Sequence, residues 1–445
     1  MIKEQYLPYF ENKNVTIMGL GLLGRGIGDT AFLASCAGDV LVTDKKTEAQ
    51  LATSLEALKD FSNITYVLGE HRLEDFEKKD FILKAAGVPL DSEYILHARK
   101  NKLPVYMSAA LVADIVMKEL PEVVIIGVTG TRGKSTTTEL IAHVLRENGS
   151  RVHLGGNIRG VANLPLLDAI EDGDFLVLEL DSWQLQGFGD MKISPHIAVF
   201  TSFMDDHMNY YKNDKELYFN DKANIYRNQH SGDVLIASAQ ASSEIIMRRE
   251  KVSTIIPEKV EYEMSLIGEH NQVCAGLAYE VGVQCGLDDE SIRTTIATFK
   301  AVNGRLEDMG LFQKDVRVFN DNNGTTGDAT IAALTAVTTA YNKKPVLIIG
   351  GNDKGLPIEQ LEKAIKEHTK DVVYLTGTGT DRLSLPKEHE YEKLADCIKQ
   401  AFALSEVGGI ILFSPSFASF SQYFNNEYER NDLFVKEVEK YRIVD

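Results

Sequence analysis

A glycine-rich loop between a predicted buried strand and a predicted helix constrains the fold more than any other stretch. An apolar run, residues 123–126, leads into Gly127-Val-Thr-Gly-Thr-Arg-Gly-Lys-Ser-Thr-Thr137, and apolar residues at helical spacing follow. In such a loop backbone N–H groups converge on an anion, Lys134 reaches the outer phosphates and the Ser135 hydroxyl can bind Mg²⁺. The loop therefore predicts a phosphate-binding α/β unit, with an ordinary turn as the alternative. Val128 stands where the common form of this motif has its first glycine.

A second glycine-rich turn lies near the N-terminus. A short strand from Val15 runs into Gly19-Leu-Gly21-Leu-Leu-Gly24, a helix is predicted to about Cys36, and the next strand ends at Asp44. Strand, GxGxxG, helix and a later acidic residue are typical of a Rossmann-like nucleotide-binding unit. Such a turn can hold any nucleotide, not only NAD, and a purely structural βαβ turn is the alternative.

Strands and helices alternate along the whole chain. The alternation predicts an α/β protein of three domains, each built on a largely parallel sheet, and we expect parallel pairing throughout. The first and third domains are predicted to be Rossmann-like and the central one a P-loop-type ATPase domain. We place the domains at residues 1–115, 116–302 and 303–445.

Length, charge and cysteine content narrow the class of protein. A chain of 445 residues is too long for one core. Its net charge of −18 argues against a nucleic-acid surface, which needs a basic face. The four cysteines form no CxxC pair, which favours reduced thiols without a zinc site. The N-terminus does not resemble a signal peptide and no run of about 18 apolar residues occurs. We therefore expect a cytoplasmic enzyme without nucleic-acid or membrane partners.

Polar residues follow two strands after the phosphate loop. Glu179 ends the apolar run from Phe175, and Asp206-His207 follow the strand that ends at Thr201. In open parallel sheets, functional groups collect just past the carboxyl ends of the strands. A helix-cap carboxylate and a loop histidine are the alternatives for each residue alone, but together they favour a direct or water-mediated Mg²⁺ site. Lys222, on a helix predicted over residues 215–227, is not distinguished by sequence from a solvated lysine.

Three more polar strand ends occur in the third domain. They are Asn320-Asp321, the segment Gly350-Gly-Asn-Asp-Lys354-Gly, and Ser414-Pro-Ser-Phe-Ala-Ser419. The residues alone do not decide between functional loops and ordinary βα turns.

The motifs together resemble one family, the Mur ligases, which are the ATP-dependent amide-forming enzymes of peptidoglycan precursor synthesis. The matching stretches span nearly the whole chain: the TGTxGK[ST]-like loop at Thr129–Ser135, Gly155-Gly-Asn157, Glu179 to Leu185, Asp206-His207, His270-Asn271, Gly304-Arg305, Asn320-Asp321 and Gly350 to Gly355. The ending Ser414 to Gln422 is similar to the SPAxASxDQF stretch typical of the D-glutamate-adding member of the family.

The resemblance implies an activity and its residues. It implies ATP and Mg²⁺ as cofactors, UDP-N-acetylmuramoyl-L-alanine and D-glutamate as substrates, an acyl-phosphate intermediate and a monomer. The implied ATP-binding residues are Gly130, Thr131, Gly133, Lys134, Ser135, Thr136, Asn271, Arg305 and Asp321. The implied residues for the UDP-substrate are Gly19, Gly21, Gly24, Asp44, Asn157 and Ser182. Those for the amino acid are Thr325, Lys354, Ser419 and Phe420. Lys134, Glu179, His207 and Lys222 would be catalytic. Ser135 and Glu179 would hold Mg²⁺, His207 would serve a second Mg²⁺, and a carbamylated Lys222 would be a metal ligand.

The sequence departs from the family pattern at several points. Asn322-Asn323 replace the usual Ser-Lys, Cys274 replaces an asparagine, and Asp181 replaces a serine. Lys84-Ala-Ala-Gly87 stands where the family has a Ser-Pro-Gly turn, and the spacing from Gln422 to Arg430 is longer by about one residue. These departures affect the amino-acid pocket and the nucleotide contacts more than the type of reaction.

Other functions compete with this interpretation. One is a related ligase that adds L-glutamate or another amino acid, or that resembles folylpolyglutamate synthase. Another is an NAD-dependent oxidoreductase with a P-loop module, for which no hydride-transfer site is visible. A third is a nucleotide-binding regulator that has lost catalysis, against which the retained lysines, glutamate and histidine argue.

Overall fold

The residues that the structure describes form three β-sheets in two compact units. The computed structural model describes residues 3–22, 24–419, 424 and 426–443. One unit comprises residues 1–259 and 274–295 and holds a five-stranded and a six-stranded sheet. The other comprises residues 260–273 and 296–445 and holds a second six-stranded sheet. The expected α/β fold with three sheets is confirmed.

The first sheet is parallel throughout. Its order is β3-β2-β1-β4-β5, so the direction of winding reverses between β1 and β4. Apolar side chains of β1 and β4 are buried on both faces of the sheet, as expected for parallel strands covered by helices. The strands are β1 (Val15–Met18), β2 (Val40–Asp44), β3 (Ile64–Leu68), β4 (Phe81–Lys84) and β5 (Val105–Tyr106). The helices are α1 (Leu7–Phe10), α2 (Arg25–Cys36), α3 (Glu48–Glu56), α4 (Glu93–Lys100) and α5 (Ser108–Glu119).

The second sheet is also parallel, in the order β11-β10-β9-β6-β8-β7. The strand that leads into the phosphate loop, β6, therefore lies between β8 and β9, whose ends carry Glu179 and the segment before His207. The strands are β6 (Val124–Thr129), β7 (Val152–Gly156), β8 (Phe175–Glu179), β9 (Ile197–Phe200), β10 (Val234–Ala237) and β11 (Thr254–Ile255). The helices of this part of the chain are α6 (Lys134–Glu147), α7 (Leu166–Ala169), α8 (Ser182–Met191), α9 (Lys215–Ala223), α10 (Ala239–Met247), α11 (Glu269–Gln284) and α12 (Asp289–Thr298).

The third sheet has the order β12-β13-β17-β14-β15-β16. Alternate residues of β14 enter two different cores, with Val346 and Ile348 in one and Leu347 and Ile349 in the other, so both faces are buried. The strands are β12 (Glu307–Phe312), β13 (Val316–Asn320), β14 (Val346–Gly350), β15 (Asp371–Leu375), β16 (Glu390–Tyr391) and β17 (Ile410–Phe413). The helices are α13 (Gly327–Tyr341), α14 (Glu359–His368), α15 (Thr378–Asp381), α16 (Leu394–Leu404) and α17 (Glu427–Glu439).

Two expectations need correction. Parallel pairing throughout is wrong for β12, which pairs antiparallel with β13. Only the short helical turn Gln313–Asp315 separates these strands, and a parallel crossover needs a much longer connection. The helix predicted to Arg227 ends at Ala223, and turns follow it.

Two further observations concern membrane-spanning helices and the cysteines. No helix in the described part of the chain is long and apolar enough to cross a bilayer. All four cysteines are free thiols.

Candidate functional site

The glycine-rich loop after β6 has the backbone that its sequence predicts. Gly130 has a φ of +149° and Gly133 a φ of +83°, and α6 begins directly after Gly133. A Cβ on Gly130 would lie 1.9 Å from the Thr201 hydroxyl oxygen, so no larger residue fits there without movement. The loop is therefore a close-packed turn that leads into a helix N-terminus, which is the geometry that binds phosphate.

Two lysines meet at one carbonyl of this loop. Lys134 Nζ donates to the Gly130 carbonyl oxygen at 3.0 Å, and Lys222 Nζ donates to the same oxygen at 2.8 Å. Lys222 is only 1% exposed, so it is not a solvated lysine. Burial and the nearby Lys134 charge hold the pKa of Lys222 well below its usual range. The structure thus makes Lys222 a buried amine beside the predicted phosphate site.

Residues after β9 hold the loop from the other side. The Thr131 N–H donates to the Ser202 carbonyl at 2.8 Å, and the Thr131 hydroxyl lies 3.2 Å from the Tyr218 hydroxyl. Arg132 pairs with Asp206 at 2.8 Å. These contacts couple the phosphate loop to the segment that carries His207.

Glu179 ends β8 with a buried carboxylate, 4% exposed. Among the described residues its one hydrogen-bond donor is Asn157 Nδ2, at 3.4 Å from Oε1. Asn157 in turn accepts from Arg25 at 2.6 Å through Oδ1. Ser182, predicted for the UDP-substrate, is buried at the first position of α8. The structure therefore brings Asn157 and Glu179 together and adds Arg25, which the sequence analysis did not single out.

His207 lies in a left-handed backbone conformation, with a φ of +56°. Its ring centroid is 4.8 Å from that of Trp183 and 6.3 Å from that of Tyr218. The side chain is 41% exposed, so it can reach a bound molecule without rearrangement of the core.

The first glycine-rich turn is closed by Asp44. Asp44 Oδ2 accepts from the N–H groups of Leu20 at 2.9 Å and Gly21 at 3.2 Å. Gly19, Gly21 and Gly24 all have positive φ, and α2 begins directly after Gly24. Asp44 thus stabilises the conformation of the turn, in addition to any contact with a ribose. The position of this acidic residue in the sequence did not indicate that structural role.

Three loops of the second unit are hydrogen-bonded to one another at adjacent strand ends. Lys354 Nζ donates to the Thr325 hydroxyl at 2.9 Å. Asn352 and Ala418 exchange both backbone hydrogen bonds at 2.9 Å, and the Ser416 N–H donates to the Gly324 carbonyl at 2.7 Å. Three of the four predicted amino-acid-binding residues thus lie on connected loops, with Ser419 buried. Phe420, the fourth, and Gln422 lie outside the described residues.

Asp321 is a buried carboxyl at the end of β13. It accepts from the Ser414 hydroxyl at 2.8 Å and from the Leu306 N–H at 3.2 Å. Burial raises the pKa of Asp321 to about 7. Asn271 is also buried and donates to the Ile267 carbonyl at 2.8 Å, while Arg305 is half-buried.

A buried arginine that sequence reasoning missed joins two of these loops. Arg430 on α17 is fully buried and donates to Asn322 Oδ1 at 2.9 Å and to the Asn322 carbonyl at 2.8 Å. It also donates to the Phe417 carbonyl at 3.4 Å. Burial lowers the pKa of Arg430 to about 10. Asn322 is therefore a hydrogen-bond acceptor for this guanidinium. This contact accounts for one departure from the family pattern, the asparagine at position 322.

Two other departures also have local explanations. Asp181 caps α8, since its Oδ1 accepts from the Gln184 N–H at 2.7 Å. Cys274 packs against the phosphate loop, where a Cβ on Gly133 would lie 3.2 Å from its sulfur. A small side chain at 274 therefore fits the loop.

Comparison with known proteins agrees with this arrangement. The model of the Mur ligase middle domain matches residues 128–257. A UDP-N-acetylmuramoylalanine–D-glutamate ligase from Borreliella burgdorferi is 32% identical over 458 aligned residues, which cover 96% of this chain and 98% of the relative.

Solved structures share the fold. The UDP-N-acetylmuramate–alanine ligase of Thermotoga maritima superposes with a TM-score of 0.62 at 19% identity, covering 96% of this chain and 99% of that one. The MurF ligase of Thermotoga maritima, solved in complex with ADP, gives 0.59 at 16% identity, covering 99% and 100%. The full-length likeness at 32% identity is the stronger evidence, and the chain belongs to the Mur ligase family.

Proposed function

We propose that this protein uses ATP to join D-glutamate to UDP-N-acetylmuramoyl-L-alanine in peptidoglycan precursor synthesis. The observation that most supports this is the arrangement at the end of the second sheet, where the phosphate loop lies between the strands that lead to Glu179 and His207. The full-length relatives named for this reaction support the choice of substrates. We further propose a cytoplasmic monomer with UDP-substrate, ATP and amino-acid domains at residues 1–115, 116–302 and 303–445.

The chemistry follows from charge. A carboxylate is a poor electrophile, so an oxygen of the alanyl carboxylate attacks the γ-phosphorus of ATP, ADP leaves, and an acyl phosphate forms. The neutral amine of glutamate then attacks the acyl carbon and loses a proton to water, and phosphate leaves with one of the former carboxylate oxygens. Lys134 and the backbone N–H groups of the loop stabilise the charge on the transferring phosphoryl group.

The residues present fit Mg²⁺. Glu179 is a buried carboxylate whose one described donor is an amide 3.4 Å away, so a cation would complete its environment. Ser135, the second residue of α6, offers a hydroxyl, and Mg²⁺ prefers oxygen ligands and keeps several waters. We assign Ser135 and Glu179 to this ion, His207 to a second Mg²⁺, and a carbamylated Lys222 to the metal ligands. When bound, Mg²⁺ would neutralise charge on the phosphate oxygens.

We assign the glutamate carboxylates to Thr325, Lys354 and Ser419. Asn323 removes one cation that the family pattern has at this point, so Lys354 supplies more of the positive charge. Its 2.9 Å contact with Thr325 places a cation and a hydroxyl side by side, which is a suitable pair for a carboxylate.

Replacing Lys354 with alanine is expected to weaken the use of glutamate. A charge-assisted hydrogen bond contributes about 1.5–3 kcal/mol, so KM for D-glutamate should rise about ten- to a hundred-fold. KM for ATP and for the UDP-substrate should stay near the wild-type values. Lys363→Ala, at a 76% exposed side chain of the same unit, is the matched control and should change none of these constants. A weaker use of ATP with an unchanged dependence on glutamate would refute this assignment.

The reaction itself is tested by ATP-dependent phosphate release. Purified protein should release phosphate only when UDP-N-acetylmuramoyl-L-alanine and D-glutamate are both present. L-Glutamate and other amino acids should give rates close to the background. Faster release with another amino acid would replace D-glutamate in the proposal, and no dependence on the UDP-substrate would reject it.

A further inference from the structure

Lys84 is a buried lysine that none of the proposed catalytic steps uses. It is the last residue of β4 and is only 2% exposed. Its Nζ donates to the carbonyl oxygens of Ala85 at 3.2 Å, Ala86 at 3.3 Å and Val88 at 2.9 Å. An ammonium group has three N–H donors, so the turn after β4 takes up all of them. One side chain therefore ties together most of the carbonyls of a four-residue turn.

Burial of the charged Lys84 side chain costs free energy. Burial lowers its pKa to about 8, although the carboxylates of Asp181, Asp190 and Asp221 oppose that effect. None of the described ion pairs includes Lys84, so carbonyl dipoles replace the carboxylate that usually accompanies a buried lysine. A neutral methionine would fill a similar volume in this apolar strand. The charge of Lys84 therefore stabilises the turn and is not needed for the packing of the core.

The turn held by Lys84 borders the ligand crevice of the first sheet. In an open parallel sheet, ligands bind past the carboxyl ends of the strands where the winding direction reverses, which here is between β1 and β4. The loop after β1 begins at Gly19, and the loop after β4 is the turn from Ala85 to Val88. The Ala85 N–H donates to the Met18 carbonyl at 2.9 Å, and a Cβ on Gly19 would lie 3.0 Å from Ala85 Cβ. The two loops are thus in direct contact at the point where the winding direction of the sheet reverses.

We propose that Lys84 is a positioning residue for the nucleotide part of the UDP-substrate, a role that rests on the proposed function. By holding three turn carbonyls, the ammonium keeps the Ala85–Val88 turn in one conformation as a wall of the crevice beside Gly19. Without it the turn must be ordered when the nucleotide binds, and ordering even one or two residues reduces affinity.

The test is the affinity for UDP of Lys84→Met, measured by calorimetry in saturating ADP so that the phosphate loop is already occupied. We expect the Kd for UDP to rise about ten-fold, the factor that corresponds to ordering about one residue. The Kd for ADP and the KM for D-glutamate should stay unchanged. Thr16→Val is the matched control, because Thr16 is buried in the neighbouring strand β1 and donates to the Asp75 carbonyl at 2.6 Å. It should lower the melting temperature and leave the UDP affinity unchanged.

Several outcomes would overturn the inference. A Kd for UDP equal to that of the wild type would do so, as would equal losses of UDP and ADP affinity, which indicate general destabilisation. If Lys84→Met does not fold, Lys84→Gln, which retains two donors, should still bind UDP several-fold more weakly, and an unchanged Kd would reject the proposal. If the wild-type protein does not bind UDP at all, the proposed UDP-substrate site fails, which is a different result.

Discussion

Lys134→Ala is expected to reduce ATP turnover by about a thousand-fold, which corresponds to about 4 kcal/mol of lost transition-state stabilisation. Lys134 opens α6 and donates to the Gly130 and Thr131 carbonyls at 3.0 Å and 3.3 Å. When ATP binds, the same ammonium is placed to reach the outer phosphates, where charge develops during phosphoryl transfer. Initial rates of phosphate release at saturating substrates measure the effect.

The control for this prediction is Lys118→Ala. Lys118 lies on α5 with a 56% exposed side chain and pairs with Asp114, so its loss should change turnover by less than about two-fold. Melting temperatures of both variants should remain close to that of the wild type. Near-normal phosphate release by Lys134→Ala would contradict the phosphate-loop assignment.

Lys222→Ala is expected to lose turnover by at least about a hundred-fold, and we predict that Lys222 is carbamylated in the active enzyme. Burial and Lys134 favour the neutral amine at position 222, and a neutral amine can attack carbon dioxide to give a carbamate and a proton. Two ammonium groups that share the Gly130 carbonyl repel each other, whereas a carbamate at 222 would attract Lys134 and could bind Mg²⁺.

Isotopically labelled bicarbonate and carbon NMR test the modification directly. The wild-type protein should show a carbamate signal, and Lys222→Ala should not. Short carboxylates such as formate should partly restore the activity of the variant. Lys215→Ala, on the same helix but 41% exposed, is the control and should keep both signal and activity. Full wild-type activity in buffer free of carbon dioxide, with no carbamate signal, would be evidence against the modification.

The strands that the sequence predicts well are the ones buried on both faces. β6, β8 and β14 are largely apolar, and β1 is interrupted only by Thr16. Each strand ends in, or is followed by, a polar or glycine residue, so the hydrophobic pattern and the residues that end it locate these strands. The strand β7 contains His153 and two glycines and was not predicted, because its pairing with β8 and not its composition makes it a strand. The edge strand β12 is partly exposed and contains Gly310, so it also lacks a clear hydrophobic pattern in the sequence.

The residues of the candidate site also differ in how well the sequence predicts them. The phosphate loop follows from local sequence, because its strand, glycines and lysine are neighbours along the chain, and Glu179 follows from its place at the end of an apolar run. Lys222 is distinguished from other lysines only by its burial, which depends on residues about ninety positions earlier in the chain. Lys84 carried one usable signal, a lysine that ends the apolar run Phe81-Ile-Leu-Lys, whereas Arg430 sits in a polar helix with no comparable signal.

An acyl phosphate should link ATP cleavage to amide formation, and the transfer of an oxygen atom from the carboxylate to phosphate is the direct test. UDP-N-acetylmuramoyl-L-alanine with both carboxylate oxygens replaced by a heavy isotope should be incubated with the protein, ATP, Mg²⁺ and D-glutamate, and the released phosphate analysed by mass spectrometry. We expect one heavy oxygen in each phosphate and one amide product for each ATP consumed. Phosphate without heavy oxygen, or ATP hydrolysis without product, would contradict it.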